Sequence, residues 1–294
     1  MVIKFRKKSY HINGDKVFDI VVTIAMYLVA LLFLLPLLNV LANSFSNPDA
    51  ILAGKVTLFP VDFDLSGYQS VLSNSKILIG FRNSVLYTVI GTAIQVTIEL
   101  LAAYPLSRKD FKGRKIINII LTMTMYVSGG MIPLYILIGE LNMFDTCWAI
   151  IIPACCSVYT IIVIRTYIST SIPYELQEAA RIDGCSDFKI FLKVILPLSR
   201  PIIFVAALFG IVCYWNSYFP SLLYLQSSNL YPLQRILSDI IASSNSGSIG
   251  GTSPEQAEQL KYVTIVVSSV PLLVAYPFFQ KYFEKGMTVG GMKG

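Results

Sequence analysis

The chain has 294 residues, of which 55% are hydrophobic and only 14% charged, and its formal net charge is +6. Soluble domains carry about 25% charged residues, so this composition excludes an ordinary soluble protein and predicts an integral membrane protein. The positive charge does not indicate nucleic-acid binding, because the lysines and arginines cluster in short segments beside long apolar runs.

The apolar runs predict an all-α membrane protein. A basic N-terminal arm, residues 1–16, precedes the first run, which is too long for the apolar core of a secretory signal and predicts an uncleaved helix. A helix needs about 20 residues to cross a bilayer, and continuous runs of that length indicate helices rather than a barrel. We predict a transmembrane domain over residues 17–294, with six spans at about residues 17–41, 83–106, 116–138, 147–167, 202–225 and 262–283.

The distribution of lysine and arginine predicts the orientation. The N-terminal arm, the 107–115 and 169–200 segments and the C-terminal tail together hold seventeen of these residues, whereas the alternate segments hold five. Cytosolic loops of membrane proteins carry the excess of positive charge. We therefore expect both termini and the 171–198 segment in the cytosol, and the polar 226–261 segment outside.

Residues 171–198 form a polar island between the predicted fourth and fifth spans. Pro173 in a first turn and Glu175 near the positive end of the helix dipole favour a helix start. Gly184 favours its end, because glycine adopts the left-handed conformation easily. Ser186 and Asp187 favour the start of a second helix. The segment is thus predicted to be a helix–glycine–helix hairpin.

The second helix of the hairpin has apolar residues at helical spacing, and Leu196-Pro197 is expected to end it. The predicted apolar face consists of Phe188, Phe191, Leu192 and Ile195. Glu99 is an ionisable residue inside the predicted second span, and we expect its carboxylate to reach the nearby cytosolic interface.

The sequence offers no chemistry of its own. It has no phosphate-binding G-x-x-x-x-G-K-[ST] loop, no H-E-x-x-H and no G-x-S-x-G. His11 is the only histidine, and we interpret it as a solvated side chain. The five cysteines show no metal-ligand spacing and are interpreted as packing residues. We predict no catalytic residue, no metal site and no cofactor in this chain.

The hairpin carries a resemblance to a known family. The series Glu178-Ala179-Ala180, then Gly184 after three residues, then Val194 and Leu196-Pro197 resembles the EAA loop of ABC importer permeases, which usually have isoleucine where Val194 stands. The resemblance implies a type I ABC importer permease fold and a coupling helix that docks on a separate ATPase subunit. The docking residues that it implies are Glu178, Ala179, Ala180, Asp183 and Gly184. Phe188, Phe191 and Ile195 would instead pack the second helix against the permease.

Further segments resemble the carbohydrate branch of that family. They are Ala102–Arg108 with Phe111, Gly113 and Arg114; Trp215-Asn216-Ser217-Tyr218, in which Ser217 replaces the usual acid; and the terminal Lys293-Gly294. Residues 129–135 and 141–145 are most similar to permeases for complex oligosaccharides of Gram-positive bacteria. This resemblance covers most of residues 80–294.

The function that the resemblance implies is oligosaccharide import by alternating access across a bacterial plasma membrane. Partners would be a homologous second permease, two ATPase subunits that hold ATP and Mg²⁺, and an extracellular solute-binding lipoprotein. A permease for amino acids, polyamines or phosphate is the alternative. A membrane enzyme would need an acid cluster, metal ligands or a nucleophile with a base, none of which is visible in the sequence, and a membrane scaffold would lack ATPase partners. Trp215 and Asn216 are candidates for the translocation path. The 226–261 segment either contacts the binding protein or the path, or is a disordered connector. The sequence does not identify the sugar, its linkage or its length.

Overall fold

The computed structural model describes residues 12–245 and 254–291, and within these ranges the chain is helical apart from short connections. One isolated β-bridge joins Ser46 and Phe63. The α-helices, with one π turn at Phe191–Ile195 and one 3₁₀ turn at Ser228–Leu230, are α1 Ile12–Ser44, α2 Pro48–Leu52, α3 Ser66–Ser73, α4 Ser75–Ser107, α5 Arg114–Tyr126, α6 Met131–Glu140, α7 Trp148–Ala154, α8 Val158–Ser171, α9 Tyr174–Ile182, α10 Asp187–Ile190, α11 Leu196–Leu198, α12 Arg200–Trp215, α13 Tyr218–Tyr224, α14 Leu233–Asn245 and α15 Pro254–Gly291.

Three stretches of the described residues are single helices long and apolar enough to cross a membrane: Lys16–Ser44, Ser75–Ser107 and Glu258–Phe278. Three bent helix pairs raise the number of candidate spans to as many as six. The predicted all-α fold is confirmed. The predicted third span is not one straight helix, because α5 and α6 meet at 109° across a break where Gly130 has φ of 87°. Gly130 is the N-cap of α6, and glycine tolerates that conformation, which re-aims the chain before α6 begins.

The chain divides into two compact units. The described part of the first unit comprises residues 12–69 and 254–266. In this unit, no residue of the apolar 18-residue stretch of α1 is buried inside the protein. The segment after α1 is held to the start of α15 by Gln259, whose amide nitrogen donates to the Ser46 carbonyl at 3.0 Å. Two short helices, α2 and α3, lie between α1 and α4.

In the second unit α4 is the central helix, and it packs against α8 and α12. Ala103, Ile164 and Ala206 are fully buried in the core between these helices. Gly91 and Gly210 allow α4 and α12 to approach closely: a Cβ on Gly91 would lie 2.6 Å from the Tyr214 ring. Small residues at such crossings are typical of helix packing in membranes, where close contact replaces the hydrophobic effect.

The first half of the 226–261 segment is tied to the start of α4. Asn83 donates to the carbonyls of Asn229 and Tyr231 at 2.7 and 3.1 Å, and the Ser84 hydroxyl accepts from the backbone N–H of Leu233 at 2.8 Å. Residues 226–245 are therefore not a disordered connector. Residues 246–253 lie outside the described residues.

Candidate functional site

The 171–198 hairpin begins where α8 ends, and its first helix, α9, follows α8 after two extended residues. Pro173 occupies the N-cap position with φ of −58° and ψ of 134°, rather than the first helical turn that the sequence predicted. Since proline fixes φ near −65° and has no N–H to leave unpaired, it can redirect the chain there without losing a hydrogen bond. Only two residues thus separate α8 from α9.

Gly184 closes α9 with a Schellman arrangement. Its φ is 77°, its N–H donates to the Arg181 carbonyl at 3.0 Å, and the N–H of Cys185 donates to the Ala180 carbonyl at 3.0 Å. This pair of bonds satisfies carbonyls that the helix end leaves unpaired, and it requires a left-handed residue at this position. A Cβ on Gly184 would meet nothing within 4 Å, so the constraint is conformational and leaves the surface of this turn open.

The five predicted docking residues lie between positions 178 and 184, in the second half of α9 and the turn that follows it. Glu178, Ala179, Asp183 and Gly184 are exposed, whereas Ala180 is half-buried and packs against the core of the second unit. Ile182, the last residue of α9, is not among the predicted docking residues, although it is 87% exposed. An apolar side chain so exposed beside the turn adds to the surface that a partner protein would contact.

The second helix of the hairpin does not bury the predicted face. Phe191 and Ile195 are buried as expected, but Phe188 is 64% and Leu192 43% exposed, and Ile190 is buried instead. The predicted packing role of Phe188 is therefore wrong, whereas the roles of Phe191 and Ile195 agree with their burial.

A π turn at Phe191–Ile195 follows the α-helical turn that contains Phe188 and Ile190. The N–H of Leu196 donates to the Phe191 carbonyl, five residues back, in a turn that precedes Pro197. Because Pro197 has no N–H, it cannot make the usual bond to the residue four positions back, and a turn with one extra residue suits that position. The helix continues past Pro197 to Leu198, and the chain then turns by 81° into α12.

Four charged residues fasten the hairpin to the end of α4. Arg108, the residue after α4, contacts Asp110 and Asp187 at 2.6 Å each, and Arg181 contacts the same two carboxylates at 3.3 and 3.1 Å. The Arg108 side chain is only 10% exposed. Hydrogen bonding to Asp110 raises the pKa of Arg108, and the same bond lowers the pKa of Asp110. The cluster stabilises the charged forms and fixes the position of both helices of the hairpin.

Glu99 is fully buried in α4, so the expectation that its carboxylate reaches the interface is wrong. Its Oε1 accepts from the Gln95 amide at 2.9 Å and from the backbone N–H of Ser157 at 3.1 Å. Ser157 is the N-cap of α8, and α4 extends eight residues beyond Glu99, about 12 Å, which the side chain cannot span. Glu99 therefore holds the start of the helix whose other end leads into the hairpin.

Trp215 and Asn216, the candidates for the translocation path, lie where α12 ends. Trp215 is 3% exposed and its indole N–H donates to the Ser268 carbonyl at 3.1 Å. It borders a mostly apolar groove of about 570 Å³ between α4, α12 and α15. Asn216 is exposed and donates to the Val212 carbonyl at 2.8 Å. Their role in a path stays a prediction.

Candidate membrane spans, with a two-helix hairpin inserted between α8 and α12, indicate a class, that of the membrane components of transport systems. Residues 95–289, which include the whole hairpin, match the family described as "Binding-protein-dependent transport system inner membrane component". The chain belongs to this family, and its fold is that of a type I ABC importer permease.

Individual relatives cover nearly the whole chain. The polygalacturonan/rhamnogalacturonan transport system permease protein YtcP of Bacillus subtilis (strain 168) is 37% identical, over 95% of this chain and 99% of the relative. Protein LplC of the same organism is 36% identical, over 97% and 98%. A solved bacterial ABC transporter involved in the import of the acidic polysaccharide alginate has a chain with a TM-score of 0.84 and 31% identity, over 94% of this chain and 100% of its own length.

Proposed function

We propose that this permease moves oligosaccharides into the cytosol by alternating access, driven by separate ATPase subunits that dock on α9. The observation that carries the proposal is the geometry of the hairpin. Its exposed turn is held by the Gly184 closure and by the four-charge cluster, and the start of α9 is two residues from the end of α8. A displacement of α9 by a docked subunit would thus move α8 and α12 as rigid bodies.

Oligosaccharide is the solute that the relatives favour. The printed names of the matched proteins refer to polygalacturonan or rhamnogalacturonan, alginate and, at 28% identity, arabinooligosaccharides. These names support a sugar over an amino acid, polyamine or phosphate, which is the alternative. In this proposal Trp215 and Asn216 line the path: the buried Trp215 forms part of its wall, and the exposed Asn216 offers an amide that suits a sugar hydroxyl.

The assembly proposed for this chain contains a homologous second permease, two ATPase subunits that bind ATP and Mg²⁺, and an extracellular solute-binding lipoprotein. It lies in the plasma membrane of a bacterium, with both termini and the hairpin in the cytosol. The lysine and arginine distribution supports this orientation. An apolar stretch of 18 residues in α1 is not buried within the chain. This exposed apolar surface supports contact of α1 with lipid or with the second permease.

The test is a substitution of Gly184 by leucine in the reconstituted importer. The left-handed turn resists a side chain, so we expect normal membrane insertion, loss of uptake and ATP hydrolysis without transport. Gly54→Leu is a matched control, because Gly54 also has a positive φ of 64° and open space around a Cβ, but lies far along the chain from the hairpin. Uptake that survives Gly184→Leu as well as it survives Gly54→Leu would contradict the coupling role of the hairpin.

A further inference from the structure

A polar cavity of about 550 Å³ lies where α8 passes into α9. Its walls come from the end of α4, the first residue of α5, the last turns of α8 and the first turn of α9. None of the five docking residues contributes to it. The cavity is therefore a feature of the hairpin's base that is distinct from the predicted docking residues.

Three cationic side chains line this cavity: Lys109, Arg114 and Arg165. The two arginines are fixed in place, because Arg114 donates to the Arg108 carbonyl at 3.1 Å and Arg165 donates to the Leu106 carbonyl at 3.2 Å. Each guanidinium has five N–H donors, so one such bond leaves donors for a ligand. The walls thus present preorganised arginine donors.

The residues that the structure describes give these cations no ion-pair partner, and Glu175 is the only carboxylate that they place in the cavity wall. The neighbouring Arg108 and Arg181, by contrast, share two carboxylates. The excess of positive charge at the cavity favours an anion.

Two further groups point to the kind of anion. The first turn of the nine-residue α9 lines the cavity, and its N-cap residue Pro173 supplies no side-chain hydrogen bond, so its N–H groups and its dipole favour negative charge. Gln177 also lines the cavity, is 8% exposed, and its amide oxygen has no partner among the described residues. A ligand that combines an anion with hydroxyl groups would satisfy both.

We propose that this cavity binds a phosphate group that carries hydroxyl-bearing substituents, supplied either by a phospholipid headgroup or by a soluble phosphate. The volume exceeds that of a bare phosphate and accommodates such a headgroup. Bound there, the phosphate bridges the end of α4, α8 and the start of α9, and it holds the base of the hairpin in one position.

The experiment measures binding to the full-length chain in lipid nanodiscs, so its outcome is independent of transport. The variant Lys109→Gln/Arg114→Gln removes two wall cations, and Lys112→Gln/Lys115→Gln removes two cations from the same stretch that lie outside the cavity. In one arm, inorganic phosphate is titrated against phosphatidylcholine discs, with chloride as control, and thermal unfolding is followed. In the other, phosphatidylglycerol replaces part of the phosphatidylcholine and its retention is measured by native mass spectrometry.

We expect the wall variant to weaken binding by about tenfold or more for each charge-assisted hydrogen bond lost, and the control variant to bind like the wild type. If inorganic phosphate binds, the ligand is a soluble phosphate. If phosphatidylglycerol binds and inorganic phosphate does not, the ligand is a phospholipid headgroup. Equal losses in both variants mean unspecific surface charge and overturn the proposal. Failure of the wild type to bind in both arms also overturns it.

Discussion

Replacement of Glu99 by leucine tests whether a buried carboxylate holds the start of α8. The substitution keeps a side chain of similar size but removes the acceptor of two hydrogen bonds, from Gln95 at 2.9 Å and from Ser157 at 3.1 Å. A buried donor left without a partner costs about 1–3 kcal/mol, so for two donors we expect the free energy of unfolding to fall by about 2–6 kcal/mol.

The matched variant is Glu99→Gln, which keeps an oxygen at the position of Oε1. Its new amide N–H groups replace Oε2, which has no partner among the described residues, so we expect a smaller loss of about 1 kcal/mol. The assay is denaturant unfolding of the purified chain, combined with hydrogen exchange of the first turn of α8. Exchange should accelerate in Glu99→Leu and stay slow in Glu99→Gln. Equal destabilisation by both variants would refute the hydrogen-bond argument, as would unchanged exchange in Glu99→Leu.

Three other predictions concern separate contacts. Gly91→Ala places a Cβ 2.6 Å from the Tyr214 ring and should lower the free energy of unfolding by about 1–3 kcal/mol; an unchanged unfolding midpoint would contradict the close approach of α4 and α12. Asp145→Ala removes the acceptor of two backbone N–H groups at 2.9 and 2.8 Å, so the segment between α13 and α14 should exchange hydrogen faster, and equal rates would contradict its anchoring. The bond from Arg108 lowers the pKa of Asp110, so its stabilisation is present above the ordinary pKa of 3.8 and is lost as the pH falls through the lower folded value. The difference in unfolding midpoint between wild type and Asp110→Asn should therefore persist at neutral pH and vanish in acid; a constant difference would contradict the ion pair.

Local chemistry made the hairpin predictable. Gly184 at a left-handed position and Ser186 at an N-cap depend on residues within a few positions of each other, and the structure has both as predicted. The six apolar runs were predictable for the same reason, since length and composition are local properties. Family membership followed from fixed spacings within single segments.

Long-range contacts were not predictable from local patterns. Arg181 contacts Asp110, which lies 71 residues earlier in the chain, and nothing in the sequence around either residue indicates this contact. The same holds for Glu99, whose partner Ser157 lies 58 residues away at a helix break that the apolar run conceals. The exposure of Phe188 has the same kind of cause, because Ile190 is buried in its place against a core formed by residues of α4, α8 and α12, which are distant in sequence.

The most direct test of the central claim is the accessibility of a single cysteine at position 182, in a background from which the five native cysteines have been removed. Ile182 is 87% exposed, so the thiol of Ile182→Cys will be reactive wherever the hairpin lies. Because the hairpin is proposed to lie in the cytosol, we expect a membrane-impermeant maleimide to label this thiol in inverted vesicles and not in intact cells. We also expect co-assembled ATPase subunits to protect the thiol from labelling. Labelling from outside intact cells, or labelling that the ATPase subunits do not reduce, would contradict the account.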